Sequence, residues 1–112
     1  MCGIRGDVNA DGSPDWILGG PDGIRVETSD GFVLFRYKTG STVDQLSYFE
    51  GDGRAFIGFR SSGTGFLIGR DGLVAKGWPI PGIVRMAFDF TGEQAELSLA
   101  SINGEIRQVR IF

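Results

Sequence analysis

The segment Asp7-Val8-Asn9-Ala10-Asp11-Gly12-Ser13-Pro14-Asp15 holds the densest run of potential ligand oxygens in the chain. Side-chain oxygens stand at its first, third, fifth and ninth positions, and Gly12 stands at the sixth. Ca²⁺ takes roughly six to eight hard oxygen ligands, and alternate residues of a curling loop can turn inward to supply them. The side chains of Asp7, Asn9, Asp11 and Asp15, with the carbonyl of Ser13 at the seventh position, form the expected ligand set. An EF-hand needs Glu at position twelve, where this chain has Leu18, and no helical period flanks the loop. The segment therefore reads as a calcium loop that connects strands. The competing reading is an acidic connection made of Asx-turns that holds no metal. Two related segments are poorer in ligands. Tyr48–Phe56 keeps oxygens at only two side-chain positions, and Asp89–Glu96 is one residue shorter, so a single site is expected.

Other candidates for chemistry are weaker. The chain has no His, which removes Ser-His-Asp and Cys-His catalysis and most zinc sites. Cys2 is the one cysteine, and it reads as a free thiol with no His to activate it. Glu93 with Glu96 or Asp89 could form an acid–base pair, but their place beside a loop favours turn or solvent roles. The glycine-rich stretch Gly63–Gly69 lacks the Lys-Ser/Thr of a phosphate loop and reads as a hairpin. Arg5-Gly6-Asp7 spells a tripeptide that integrins recognise, yet Asp7 already has a role in the acidic loop. Trp16 and Trp78 could stack on a sugar, although large aromatics in small β domains more often anchor cores and interfaces. Trp78, between Gly77 and Pro79, is the better ligand-binding candidate.

Eleven Lys and Arg against 14 Asp and Glu leave a net charge of −3, which argues against a nucleic-acid surface. No apolar run is long enough to span a membrane, and the first residues carry no secretory h-region, so the default location is the cytoplasm.

The elements that must position the loop follow from repetition. Nineteen glycines make up about one residue in six, against a usual share of roughly 7%. Segments starting at Asp15, Phe56 and Glu96 lie 41 and 40 residues apart, and each reaches a turn eight residues later, at Asp22-Gly23, Gly63-Thr64 and Asn103-Gly104. A further eight residues bring Asp30-Gly31 and Asp71-Gly72. Between these turns lie stretches rich in β-branched and aromatic residues: Ile24–Thr28, Phe32–Tyr37, Val43–Phe49, Phe56–Arg60, Phe66–Ile68, Ile83–Phe90, Leu97–Ile102 and Ile106–Phe112. No segment shows a convincing helical period. The expected fold is all-β, with about eleven strands, four per repeat, in repeats of about 1–42, 43–82 and 83–112.

The run from Gly6 to Gly20, followed by Asp22-Gly23 and Asp30-Gly31, resembles the FG-GAP repeat of integrin α-chain propellers and its bacterial relatives. Gly77-Trp78-Pro79 is also similar to bacterial members. The resemblance is strong in the first repeat and loose in the others. It implies a four-stranded propeller blade per repeat and Ca²⁺ held by Asp7, Asn9, Asp11, Ser13 and Asp15. Propellers close with roughly four to eight blades, so three blades imply completion by a second chain as a six-bladed homodimer. A β-trefoil monomer is the alternative.

The function expected from these features is a non-enzymatic, calcium-stabilised binding module for a glycan or a protein. A polysaccharide-cleaving propeller and a purely structural assembly subunit are the alternatives.

Overall fold

The computed structural model describes residues 2–51, 53–91 and 94–110, with residues 88–91, 94 and 95 described by their backbone alone. Among them are ten strands and no helix: β1 (Cys2–Gly6), β2 (Asp15–Gly20), β3 (Gly23–Glu27), β4 (Val33–Lys38), β5 (Val43–Gly51), β6 (Arg54–Ser61), β7 (Thr64–Gly69), β8 (Ile83–Thr91), β9 (Gln94–Ser101) and β10 (Ile106–Arg110). Every pairing is antiparallel, and each of the three sheets uses its strands in chain order: β1-β2-β3-β4, β5-β6-β7 and β8-β9-β10. The all-β class is as expected.

Four strands are found in the first sheet alone. In the second, residues 74–80 return along β7 but meet it only at the isolated pairs Ile68–Val74 and Gly65–Ile80. Pro79 and Pro81 cannot donate to a ladder, and Gly77 carries a φ of +89°, so the return path cannot settle into a regular strand.

The three sheets share one register. Gly3 pairs with Leu18, Leu46 with Phe59, and Met86 with Leu99; the next pairs on the opposite face are Ile4–Ile17, Ser47–Gly58 and Ala87–Ser98. The β6–β7 turn has two residues, Ser62 and Gly63, at φ +50° and +73°, the primed geometry that suits the twist of a hairpin.

Alternation then gives each sheet two faces. Ile17, Ile24 and Val26 of the first sheet pack with Val43, Ile57, Phe59 and Ile68 of the second. Phe59 stacks on Phe66 with ring centroids 4.9 Å apart, and Tyr37 of the first sheet meets both rings edge-on at 5.9 and 5.7 Å. The contact depends on close approach: a Cβ on Gly6 would lie 2.5 Å from the Tyr48 ring. A second cluster, Ile83, Met86, Leu97 and Leu99 with Trp78, Ile80 and Val109, seats the third sheet on the second. Here the Gln45 amide brackets the Met86 backbone, donating to its carbonyl at 2.7 Å and accepting its N–H at 2.9 Å. Arg60 Nε donates to the Ile83 carbonyl at 2.7 Å. At the link between the first two sheets, the buried Ser61 hydroxyl lies 2.8 Å from that of Thr39 and 2.6 Å from that of Ser41.

Candidate metal loop

The β1–β2 connection is closed at its base by the pair Gly6–Asp15, and residues 7–14 project beyond it. Val8 points back into the core at 1% exposure and plugs the loop onto the sheet. Its amide donates to Asp15 Oδ2 at 2.9 Å and to the Gly6 carbonyl at 3.0 Å. Asn9 N–H also reaches Asp15 Oδ2, at 3.4 Å. Asp15 is itself buried, at 1% exposure, so its carboxylate is the inner acceptor around which the loop starts. Asp7 organises the outer turn. Its Oδ1 accepts the Asp11 amide at 3.1 Å and its Oδ2 accepts the Gly12 amide at 2.9 Å. Asp11 Oδ1 accepts the Ser13 amide at 2.9 Å. This bond holds the exposed Asp11 carboxyl below the usual carboxylate range, against a smaller opposing effect of desolvation. Ala10 at φ +59° and Gly12 at +87° make the reversals that aim these amides inward.

Two neighbours clamp the loop from outside. Arg5 Nη2 donates to the Pro14 carbonyl at 3.2 Å while its guanidinium lies 4.5 Å from the Trp16 ring centroid. The Tyr48 hydroxyl, from the second sheet, is 3.0 Å from the Asp7 carbonyl and 2.6 Å from Glu50 Oε2. One phenolic proton serves one acceptor at a time, and the charged carboxylate is the nearer. Burial, followed by the hydrogen bond to Glu50 and its charge, holds the Tyr48 hydroxyl well above the ordinary phenol range.

Asp7, Asn9, Asp11, Ser13 and Asp15 thus share one loop, and their oxygens are of the hard type that Ca²⁺ takes. Asp7 Oδ1 and Oδ2 and Asp11 Oδ1 each accept one amide and keep a further lone pair, and Asp15, whose Oδ2 accepts two amides, has Oδ1 to offer, so donor chemistry and calcium are compatible. The side chains are turned towards amides, however. Among the described residues, no group of three or more His, Cys, Asp or Glu side chains is gathered closely enough to hold a metal. The two segments poorer in ligands adjoin strand ends instead: β5 pairs with β6 as far as Gly51–Arg54, and β8 with β9 as far as Thr91–Gln94. Asp52 and Glu93 lie outside the described residues.

Trp78 is half-buried against Ile83 and Met86, beside Gly65 and before a cis Pro79. Trp16 is the more open of the two tryptophans, at 40%. Gly6 of Arg5-Gly6-Asp7 is buried beneath Tyr48, and Gly63–Gly69 forms a turn and β7. Glu96 is half-buried in β9. Tyr48 and Val8 are parts of the loop assembly that sequence reasoning missed. Val8 carries a faint signal, as an apolar residue inside an otherwise polar loop.

At the far end of the first sheet, a shallow pocket of about 260 Å³ is bordered by Leu18, Pro21, Asp22, Arg25, Arg36 and Lys38. Among the described residues, no helix is long and apolar enough to cross a membrane. No family model, no curated protein and no solved structure matches the chain.

Proposed function

We propose that the chain is a non-enzymatic, calcium-stabilised binding module built from blade-like sheets of the FG-GAP kind. The observation that carries this reading is the β1–β2 loop, where Asp7, Asp11 and Asp15 fold the backbone of residues 7–13 around carboxylate oxygens. Asp7, Asn9, Asp11, the Ser13 carbonyl and Asp15 would hold the ion. Bound calcium would draw the carboxylates of Asp7, Asp11 and Asp15 together, neutralise their charge and tie the outer turn to the β-sheet. Because the carboxylates already serve amides, the ion must turn them towards itself, and the affinity falls near the weak extracellular range of about 10⁻⁴–10⁻³ M. Successive sheets stacked face to face, each with its strands in chain order, support the blade-like reading over a trefoil. The absence of His from the sequence supports a binding role over a catalytic one. The ligand is a glycan or a protein, and Trp78, half open beside the second sheet, is the aromatic proposed to contact it.

Thermal or urea unfolding with calcium and with chelator tests the metal. At about 10 mM Ca²⁺, linkage with such an affinity adds about 1.4–2.7 kcal/mol of stability. No change at that concentration, in wild type and Asp11→Ala alike, overturns the calcium assignment. A glycan array with the wild type and Trp78→Ala tests the binding assignment. Signal that Trp78→Ala abolishes is the expected result, and signal unaffected by the substitution removes Trp78 from the site.

A further inference from the structure

Within each sheet, the second strand presents alternate residues to opposite sides. The common register puts Trp16 and Leu18 on the same side of β2 as Ile57 and Phe59 on β6, and Leu97 and Leu99 on β9. This is the forward face. The rear face carries Ile17 and Gly19, then Gly58 and Arg60, then Ser98 and Ala100.

Inside the chain one stacking step occurs twice. The rear of the first sheet takes the forward face of the second, and the rear of the second takes the forward face of the third. Bulky forward side chains enter hollows left by small rear ones. Tyr48 sits over Gly6, Val43 over Gly19, and Ile83 and Met86 over Gly65. Ile57, Phe59, Leu97 and Leu99 are consequently 1% exposed or less.

Two faces are left without this step. On the forward face of the first sheet, Trp16 is 40% exposed and Leu18 is only half-buried, although their counterparts are fully covered. On the rear face of the third sheet, Ala87 is exposed and Ser98 and Ala100 are half-buried, a hollow of small side chains along β9 that Ile106, Gln108 and Arg110 of β10 border on one side. Arg85 stands there, exposed, in the register position that Gln45 occupies in the second sheet, where it holds a neighbouring backbone. The open forward face, where Arg25 and Glu27 flank Leu18 and Trp16, and the open rear face, hollow along β9, stand in the register positions of the two halves of the step the chain already makes.

We propose that the forward face of the first sheet docks on the rear face of the third sheet of a second copy, and reciprocally. The result is a homodimer with two identical seams and six sheets in a ring. The second copy is the fitting occupant because the seam continues the internal stacking, and two such seams related by a two-fold axis close on themselves. Trp16, with Arg5 against its ring, is the anchor of each seam. The inference rests on the blade-like stacking of the proposed reading and is independent of its calcium.

Light scattering on a sizing column tests it with the full chain. The expected mass is twice the 12.1 kDa of one chain. Trp16→Glu and Ser98→Arg alter opposite sides of the seam, and each is expected to raise the dimer dissociation constant at least about a hundredfold. An equimolar mixture of the two variants keeps one unaltered seam, and it is expected to recover a dimer that neither variant forms alone. A mass of 12.1 kDa at every concentration overturns the proposal. So does a ladder of larger species, a natively folded Trp16→Glu dimer, or a mixture that stays monomeric while the wild type does not. If either variant loses its far-ultraviolet circular dichroism, hydroxyl-radical footprinting of the wild type replaces it. Oxidation of Trp16 should fall at high concentration while that of Phe32, 73% exposed, stays constant. Equal protection of both, or of neither, refutes the seam. A dimer whose stability ignores calcium sinks the calcium loop alone, and a calcium-responsive monomer sinks the seam alone.

Discussion

Asp15→Ala removes the acceptor for the amides of Val8 and Asn9 from a position only 1% exposed. Hydrogen bonds to a charged group contribute about 1.5–3 kcal/mol each, and an amide left buried without a partner adds a penalty. Two features reduce the sum. Val8 N–H keeps the Gly6 carbonyl at 3.0 Å, and the Asn9 bond is long at 3.4 Å. Removing a buried carboxylate also returns part of its desolvation cost. The expected loss is about 2 kcal/mol, equivalent to roughly 8–16 °C in Tm for a domain of this size. Urea unfolding in chelator isolates this effect from any metal. Asp11→Ala is the paired control. It removes the bond to the Ser13 amide at an exposed position, so in chelator it should cost much less than Asp15→Ala. With calcium present, the order reverses in meaning: Asp11→Ala should abolish the added stabilisation. An Asp15→Ala loss below about 0.5 kcal/mol in chelator would refute the idea that its carboxylate organises the loop. Equal losses in the two variants would show that burial does not separate their roles.

Gly6→Ala places a methyl group 2.5 Å from the Tyr48 ring and should lower stability by about 1–3 kcal/mol, read from urea midpoints. Tyr48→Phe should cost about 1 kcal/mol at neutral pH through its lost hydroxyl bonds. Because the fold holds this phenol protonated above its ordinary value of 10.0, wild-type stability should fall as pH rises past that value, and the Phe variant should lose less. Asp11, held below the ordinary carboxylate value of 3.8, contributes stability that is present above that pH and fades as pH falls through the lower folded value. Asp11→Asn should flatten this part of an acid-unfolding profile.

The all-β class was legible because alternation and turn residues recur along the chain, as in Ile106, Val109 and Ile111 after Asn103-Gly104. β1 was harder to read. Cys2-Gly3-Ile4-Arg5-Gly6 has two glycines and little strand propensity, and it pairs with β2 while side chains of the second sheet fill the hollow at Gly6. Val43–Phe49 was legible as a strand, and Tyr48 and Phe49 lie inside β5 with their rings on opposite sides of the sheet; what the spacing of oxygens between Tyr48 and Phe56 did not show is that β5 runs on to Gly51 and β6 begins at Arg54. The acidic loop was readable from spacing alone because its hydrogen bonds are local. The clamp by Tyr48 was not, since it joins residues 41 positions apart. Trp78 is placed by the backbone pairing of Ile80 with Gly65, a contact that no local pattern encodes.

Sheets made only from consecutive strands have a consequence for how the chain is built up. No ladder waits for a distant segment, so the loop-closure entropy of each hairpin is small and pairing can follow the order of synthesis. The first sheet has all four of its strands by Lys38, before any residue of the second is needed for its hydrogen bonds. The same arrangement makes the sheet a unit of length. Gene duplication or deletion could add or remove one whole sheet without rethreading another, and the stacking face would be the only part that must be matched again.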